Sequence, residues 1–226
     1  KIRHYKKKKI KFYQASSSEM FGKSKAPQNE KTLFQPRSVY AISKVFAYHS
    51  VIHYREAYGL HACNGILFNH ESPRRGVNFV TKKIVQGLVR IKQGKQKVLT
   101  LGNLYSRRDW GHAKDYVESM WKILQLKKPN DFVIATRTSH SVKDFINICS
   151  KKLNIKLIWK NRGLKEIGVN KLTNKTIIKV DKKYFRETEV DDLIGDFTKA
   201  NKILKWKPKY SFNKLVDDMI FNELNG

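Results

Sequence analysis

Ile10-Lys11-Phe12-Tyr13-Gln14-Ala15, Ser38-Val39-Tyr40-Ala41-Ile42-Ser43-Lys44 and Ala62-Cys63-Asn64-Gly65-Ile66-Leu67-Phe68 together decide the fold. The first and third are short apolar runs with polar borders, the pattern of buried strands. The second opens a helix predicted over residues 39–58. Ser38 suits an N-cap, Ala41, Val45, Tyr48 and Ile52 recur at helical spacing, and Gly59 offers a stop. Strand, long helix and strand joined by short links make a parallel α/β crossover.

Working outward, residues 22–36 hold Gly, Pro, Asn and charges and read as a loop. Helical patterns are predicted over 79–91, 112–126, 142–153, 198–204 and 212–224, with Ser141 near one cap. Strands are predicted over 98–101, 132–135 and 155–159, and residues 160–175 as a polar, exposed excursion. There is no internal repeat and no clean linker, so a second lobe should be interleaved with the first.

The 226 residues suffice for a buried core in one domain or two small ones. Hydrophobic residues at 40% argue against disorder despite the charge. No apolar run approaches the roughly 20 residues of a membrane helix, and no apolar signal core follows the basic start. Cys63 and Cys149 stand apart and fit no metal or redox spacing. Two free thiols point to a reducing, cytoplasmic setting. The net charge of +28 comes from 47 Lys+Arg against 19 Asp+Glu. Its lysines are scattered, which favours solvated surfaces over a nucleic-acid partner. The exception is residues 6–11, with five Lys in six positions.

Tyr40 and Lys44 are four apart on the predicted helix and share a face. A phenol titrates near ~10, and a neighbouring ammonium stabilises the phenolate. The pair can therefore serve as a tuned base for a sugar hydroxyl. Ser17 and Glu19 follow the first strand, at the carboxyl end where open α/β sheets bind ligands. They offer a hydroxyl and a separate carboxylate base. Ser16-Ser17-Ser18 also reads as an ordinary polar turn. His49 and His53 could bind metal by spacing, but a solvated helix face fits them better, and no metal is expected. Arg74-Arg75 and Arg107-Arg108 are paired guanidinium sites suited to phosphate, or plain surface charge.

Further runs carry a resemblance. They are Phe12-Tyr13-Gln14-Ala15-Ser16-Ser17-Ser18-Glu19, Gly65-Ile66-Leu67-Phe68-Asn69-His70-Glu71-Ser72-Pro73-Arg74-Arg75-Gly76, Arg108-Asp109-Trp110-Gly111-His112-Ala113-Lys114-Asp115-Tyr116-Val117 and, later, Thr188-Glu189-Val190-Asp191 with Trp206-Lys207-Pro208. Over nearly its whole length the chain resembles the later part of GDP-mannose 4,6-dehydratases, extended short-chain dehydrogenases/reductases. The resemblance implies an α/β fold: the later part of a Rossmann-type parallel sheet, with an interleaved C-terminal substrate-binding lobe. Residues 1–75 would belong to the NADP-binding domain, rejoined by a strand at 132–136, and residues 76–226 mainly to the GDP-sugar lobe.

The implied reaction uses NADP and GDP-mannose. C4 is oxidised, water is eliminated across C5 and C6, and C6 is reduced, giving GDP-4-keto-6-deoxymannose. By position Ser17 matches an active-site Thr, Glu19 the C5 base, and Tyr40 the oxidation-step base with Lys44 beside it. Tyr40, Lys44, His70 and Arg75 match cofactor contacts. Asn69, Lys83, Arg108, Arg186 and Glu189 match GDP-sugar contacts. Assembly as a homo-oligomer, dimer or tetramer, is also implied.

The departures are Ser17 for Thr, Val39 for Pro and Glu187 for Pro. No glycine-rich dinucleotide turn occurs upstream of Ser17. This leaves two further readings: a fragment without independent activity, and a basic nucleic-acid-binding module.

Overall fold

The computed structural model describes residues 10–185 and 192–226. Most of the Lys-rich start, Arg186, Glu189 and the run 188–191 lie outside the described residues. In chain order the main elements are β1 (Lys11–Ser17), α1 (Val39–Tyr58), β2 (His61–Leu67), α2 (Val80–Lys92), β3 (Leu99–Leu101), α3 (Ala113–Gln125) and β4 (Phe132–Ile134). They continue with α4 (Val142–Lys152), β5 (Leu157–Lys160), β6 (Ile167–Asn170), β7 (Lys175–Val180), α5 (Thr198–Leu204) and α6 (Phe212–Asn225). The chain forms two compact units. The first takes residues 10–70, 108–139 and 192–209, and the second takes 71–107, 140–185 and 210–226.

In the first unit β1, β2 and β4 form a parallel sheet in that order, with Ala15 opposite Gly65 and Ile66 opposite Val133. Alternation along β2 and β4 sends side chains to both faces. Ile66, Phe68, Val133 and Ala135 join Met20, Phe21, Tyr48 and Leu193 in one cluster, with Val45 and Ile52 of α1 against it. Cys63, Leu67, Phe132 and Ile134 join Tyr116 and Ile123 of α3, Ala200 and Leu204 of α5, and Trp206 in the other. A parallel sheet covered on both faces reads as near-continuous apolar runs, and β2 and β4 do. Helix α1 begins where Ser38 accepts a hydrogen bond from the Ala41 N–H and ends at Gly59 in the left-handed conformation.

Gly65 is required by close approach. A Cβ there would lie 2.0 Å from the Tyr13 hydroxyl, whose ring crosses this position from β1. Tyr13 is enclosed, and burial pushes its phenol up. Gly65→Ala is expected to destabilise the protein by about 1–3 kcal/mol through overpacking, read as a lowered denaturation midpoint. An unchanged midpoint would show that Tyr13 has room to move.

The second unit pairs β3 with β7 in parallel and β7, β6 and β5 antiparallel, in the order β3-β7-β6-β5. Helices α2, α4 and α6 pack on one another. This corrects the excursion expected over 160–175. The segment holds a 3-10 turn (Gly163–Lys165) and strand β6, and β7 begins at its end. Cross-strand pairing with β5 and β7 outweighs the weak local pattern of Ile167-Gly168-Val169-Asn170.

Candidate active site

Strand β1 carries the first group of expected residues to its carboxyl end. Of the three serines, Ser16 donates to Asn64 Oδ1 at 3.2 Å and Ser18 is buried. Ser17 is half-buried, and its Oγ accepts from the Glu19 N–H at 3.2 Å. Its own hydroxyl proton is left to donate outward. Glu19 sits on the 3-10 turn Ser18–Met20, half-buried, and its carboxylate has no hydrogen-bond or ion-pair partner among the described residues.

Tyr40 and Lys44 share a face of α1, with the Lys44 Nζ 5.7 Å from the Tyr40 ring centroid. That ammonium donates to the Ala15 carbonyl at 2.8 Å. This bond ties the helix pair to the carboxyl end of β1 and leaves two of three ammonium donors for a ligand. Tyr40 is 54% exposed. The first unit thus brings Ser17, Glu19, Lys44 and Tyr40 to one edge of its parallel sheet.

Beyond β2, the His70 ring stacks on Tyr116 at 4.9 Å, and its Nδ1 lies 2.9 Å from the Phe68 carbonyl. A carbonyl only accepts, so Nδ1 carries a proton and donates to it. Asn69 Oδ1 is enclosed and lacks a hydrogen-bond partner among the described residues, an acceptor left over by the fold. Arg108 is buried, 9% exposed.

The other two described candidates lie in the second unit. Arg75 forms an ion pair with buried Glu71, Nε to Oε2 3.1 Å, and its guanidinium stacks 3.5 Å from the Phe79 ring centroid. Thr81 donates to the same carboxylate at 2.5 Å. Burial raises the Glu71 carboxyl, against the Arg75 charge and the Thr81 hydrogen bond. Lys83 lies 3.9 Å from the Tyr184 ring centroid. His49 and His53 pack edge-on against Tyr48 and Tyr58. Among the described residues no group of three His, Cys, Asp or Glu is disposed to hold a metal ion.

Two polar residues organise the first unit, and nothing local in the sequence marks either as buried. Asp109 is fully buried and accepts from the Thr136 N–H at 2.8 Å, the Thr136 hydroxyl at 2.7 Å, the Arg137 N–H at 2.9 Å and the Gly195 N–H at 3.2 Å. Buried Gln28 binds Ile194 through both backbone and side chain and accepts from the Asp196 N–H. Together they fix the residues after β4 and the segment 194–196.

Burial pushes the Asp109 carboxyl up to about 6, against those four donors. A carboxyl raised on folding stabilises the fold most below its unfolded pKa, and that contribution is lost as pH rises through the folded value. The stability of the wild type relative to Asp109→Asn is therefore expected to fall by roughly 3 kcal/mol between about pH 4 and pH 7. Denaturant titrations of both proteins would show it. A difference independent of pH would contradict it.

A family model described as GDP-mannose 4,6 dehydratase matches residues 1–219. The chain is 51% identical over 218 residues to the GDP-mannose 4,6 dehydratase of Dictyostelium discoideum, a match covering 96% of this chain and 61% of the relative. With the enzyme of that name from Homo sapiens it shares 51% over 212 residues, covering 93% and 57%. The chain thus spans under two thirds of the length of these relatives. RMD from Pseudomonas aeruginosa, solved with NADPH, matches at a TM-score of 0.79 and 18% identity, covering 95% of this chain and 67% of that one. That likeness concerns the fold, a Rossmann-type α/β architecture. With one family model running through 219 of 226 positions and half of all aligned residues identical, the chain belongs to the GDP-mannose 4,6-dehydratase family.

Proposed function

We propose that this chain carries the proton-transfer residues of a GDP-mannose 4,6-dehydratase, converting GDP-mannose to GDP-4-keto-6-deoxymannose with NADP. The observation behind this reading is the Lys44–Ala15 bond, which holds the Tyr40 helix face at the sheet edge that bears Ser17 and Glu19. Bound NADP supplies the acceptor, and later the donor, of the hydride. Tyr40 takes the C4 hydroxyl proton, with the Lys44 ammonium beside its ring. The resulting 4-keto group acidifies the C5 proton; the Glu19 carboxylate removes it and returns it to the C6 hydroxyl, which leaves as water as the C6–O bond breaks. Ser17, whose Oγ accepts from the Glu19 N–H, donates a hydrogen bond to the sugar oxygen at C4.

The residues present fit the nicotinamide and ribose side of the cofactor. Lys44 has two donors to spare, and the His70 ring is held by its Nδ1 bond to Phe68 and its stack on Tyr116. We assign Arg75 to the cofactor, and Asn69, Lys83, Arg108, Arg186 and Glu189 to the sugar nucleotide. The enclosed Asn69 oxygen suits a sugar hydroxyl donor. We also assign residues 1–75, with the strand at 132–136, to the cofactor-binding domain, and residues 76–226 mainly to the sugar-nucleotide lobe. These 226 residues contain no glycine-rich turn for the adenosine phosphates. Turnover accordingly requires a segment outside them, and oligomeric assembly follows the family. No helix among the described residues is long and apolar enough to cross a membrane. We place the enzyme in the cytoplasm, in keeping with its two free, buried thiols.

Glu19→Gln tests the division of labour. Joined to the cofactor-binding part of a relative, the variant is expected to reduce NADP on adding GDP-mannose, seen by absorbance, yet form no dehydrated sugar. Normal dehydration by this variant would exclude Glu19 as the C5 base.

A further inference from the structure

The second unit contains a cleft of about 580 Å³ formed by residues that none of the assignments above uses. Its walls are Tyr105, Lys143, Trp159 and Glu166, with Asn161 and Arg162 at one side. Glu166 is 1% exposed and spends both oxygens inside the wall. Tyr105 Oη donates to one at 2.8 Å and Lys143 Nζ to the other at 2.6 Å. The Trp159 indole N–H donates to Asn147 Oδ1 at 2.8 Å, and Lys143 lies 4.7 Å from its ring centroid. Two aromatic planes are therefore each held by a hydrogen bond at the polar end, while half of the Tyr105 surface stays exposed.

Lys143 is neutralised by Glu166, but Arg162 is not. Its guanidinium is exposed and has no partner among the described residues. It is presented between Asn161 and Gly163, both left-handed at φ +61°. Lys156, Lys160 and Lys165 add exposed positive charge along the same stretch. Rigid aromatic walls with one unpaired guanidinium suit a ligand that has a flat ring and an anionic group. The volume lies within the roughly 300–1,000 Å³ of small-molecule sites.

From this geometry we infer that the cleft is a nucleotide-binding site. A base stacks against the aromatic wall, and its phosphate pairs with Arg162. The carboxylate and the indole N–H are already committed, so only the Asn161 amide is left to read the base. Stacking is tolerant of base identity, and AMP and GMP should bind with similar affinity. This property separates the cleft from a site selective for guanosine.

The test is nuclear magnetic resonance of the ¹⁵N-labelled chain, using the indole N–H signals of its four tryptophans. Trp159→Phe identifies the Trp159 signal. AMP and GMP are each expected to shift that signal saturably, with affinities within about threefold, and inorganic phosphate should leave it unmoved. Arg162→Ala, at an exposed position, should weaken both nucleotides by about tenfold or more. An unmoved Trp159 signal at millimolar nucleotide would overturn the inference. So would unchanged affinity in Arg162→Ala, a response to GMP alone, or an equal response to phosphate alone.

Discussion

Tyr40→Phe is expected to lower dehydratase turnover by about 10²–10⁴-fold while leaving the fold intact, in the chain joined to the cofactor-binding part of a relative. The size follows from the proposed role, since phenylalanine keeps the ring and removes the hydroxyl proposed to take the sugar proton. The harmlessness to folding follows from the surroundings. Tyr40 is 54% exposed, and its hydroxyl has no partner among the described residues. The neighbouring Lys44 remains anchored on Ala15 in the variant. Rate measurements paired with thermal melts separate the two effects. Unchanged turnover would remove Tyr40 from the mechanism, and a large loss of thermal stability would make its role structural.

Asp131→Ala is expected to cost about 3 kcal/mol of stability, which lowers the melting temperature by roughly 6–12 °C in a chain of this size. Asp131 precedes β4 and gathers three elements. It receives Arg55 of α1 in a two-pronged pair at 2.9 and 2.7 Å. It also accepts from the Asn64 backbone and side chain on β2 at 2.9 and 3.0 Å. Arg55 reaches the Ala62 carbonyl as well, at 3.1 Å. Removing the carboxylate leaves a largely buried guanidinium and two amide donors without their acceptor. Much of the cost is that unpaired charge, so Arg55→Met combined with Asp131→Ala should be less destabilised than Asp131→Ala alone. If the single variant melts within about 2 °C of the wild type, the network contributes little beyond solvent exchange.

The elements nearest the proposed chemistry were legible in the sequence because their signals are local. Ser38 and Gly59 bound α1 at the predicted residues, and Ala41, Val45, Tyr48 and Ile52 are its inward face. The apolar run at 132–135 announced a strand, and its pairing with β2 follows the parallel pattern. What escaped was set by distant partners. Residues 167–170 become a strand because β5 and β7 flank them. Asp109 stands in the Arg108–Val117 run, but nothing local marks it as buried, because its donors lie 27 to 86 residues away. The candidate site divides in the same way. Tyr40–Lys44 is visible as a helical spacing, while the bond from Lys44 to Ala15 spans 29 residues and needed the fold. Glu71 paired with Arg75 was within reach of spacing alone, being four residues apart, but nothing marked it as buried.

The most direct measurement joins the first part of the Dictyostelium relative to residues 1–226 and incubates the folded chimera with NADP and GDP-mannose. Mass spectrometry of the sugar nucleotide is predicted to show a product lighter by one water, formed by the wild-type sequence and absent with Tyr40→Phe. A folded chimera that binds GDP-mannose and yields no dehydrated product, or one whose product survives Tyr40→Phe, would contradict the account.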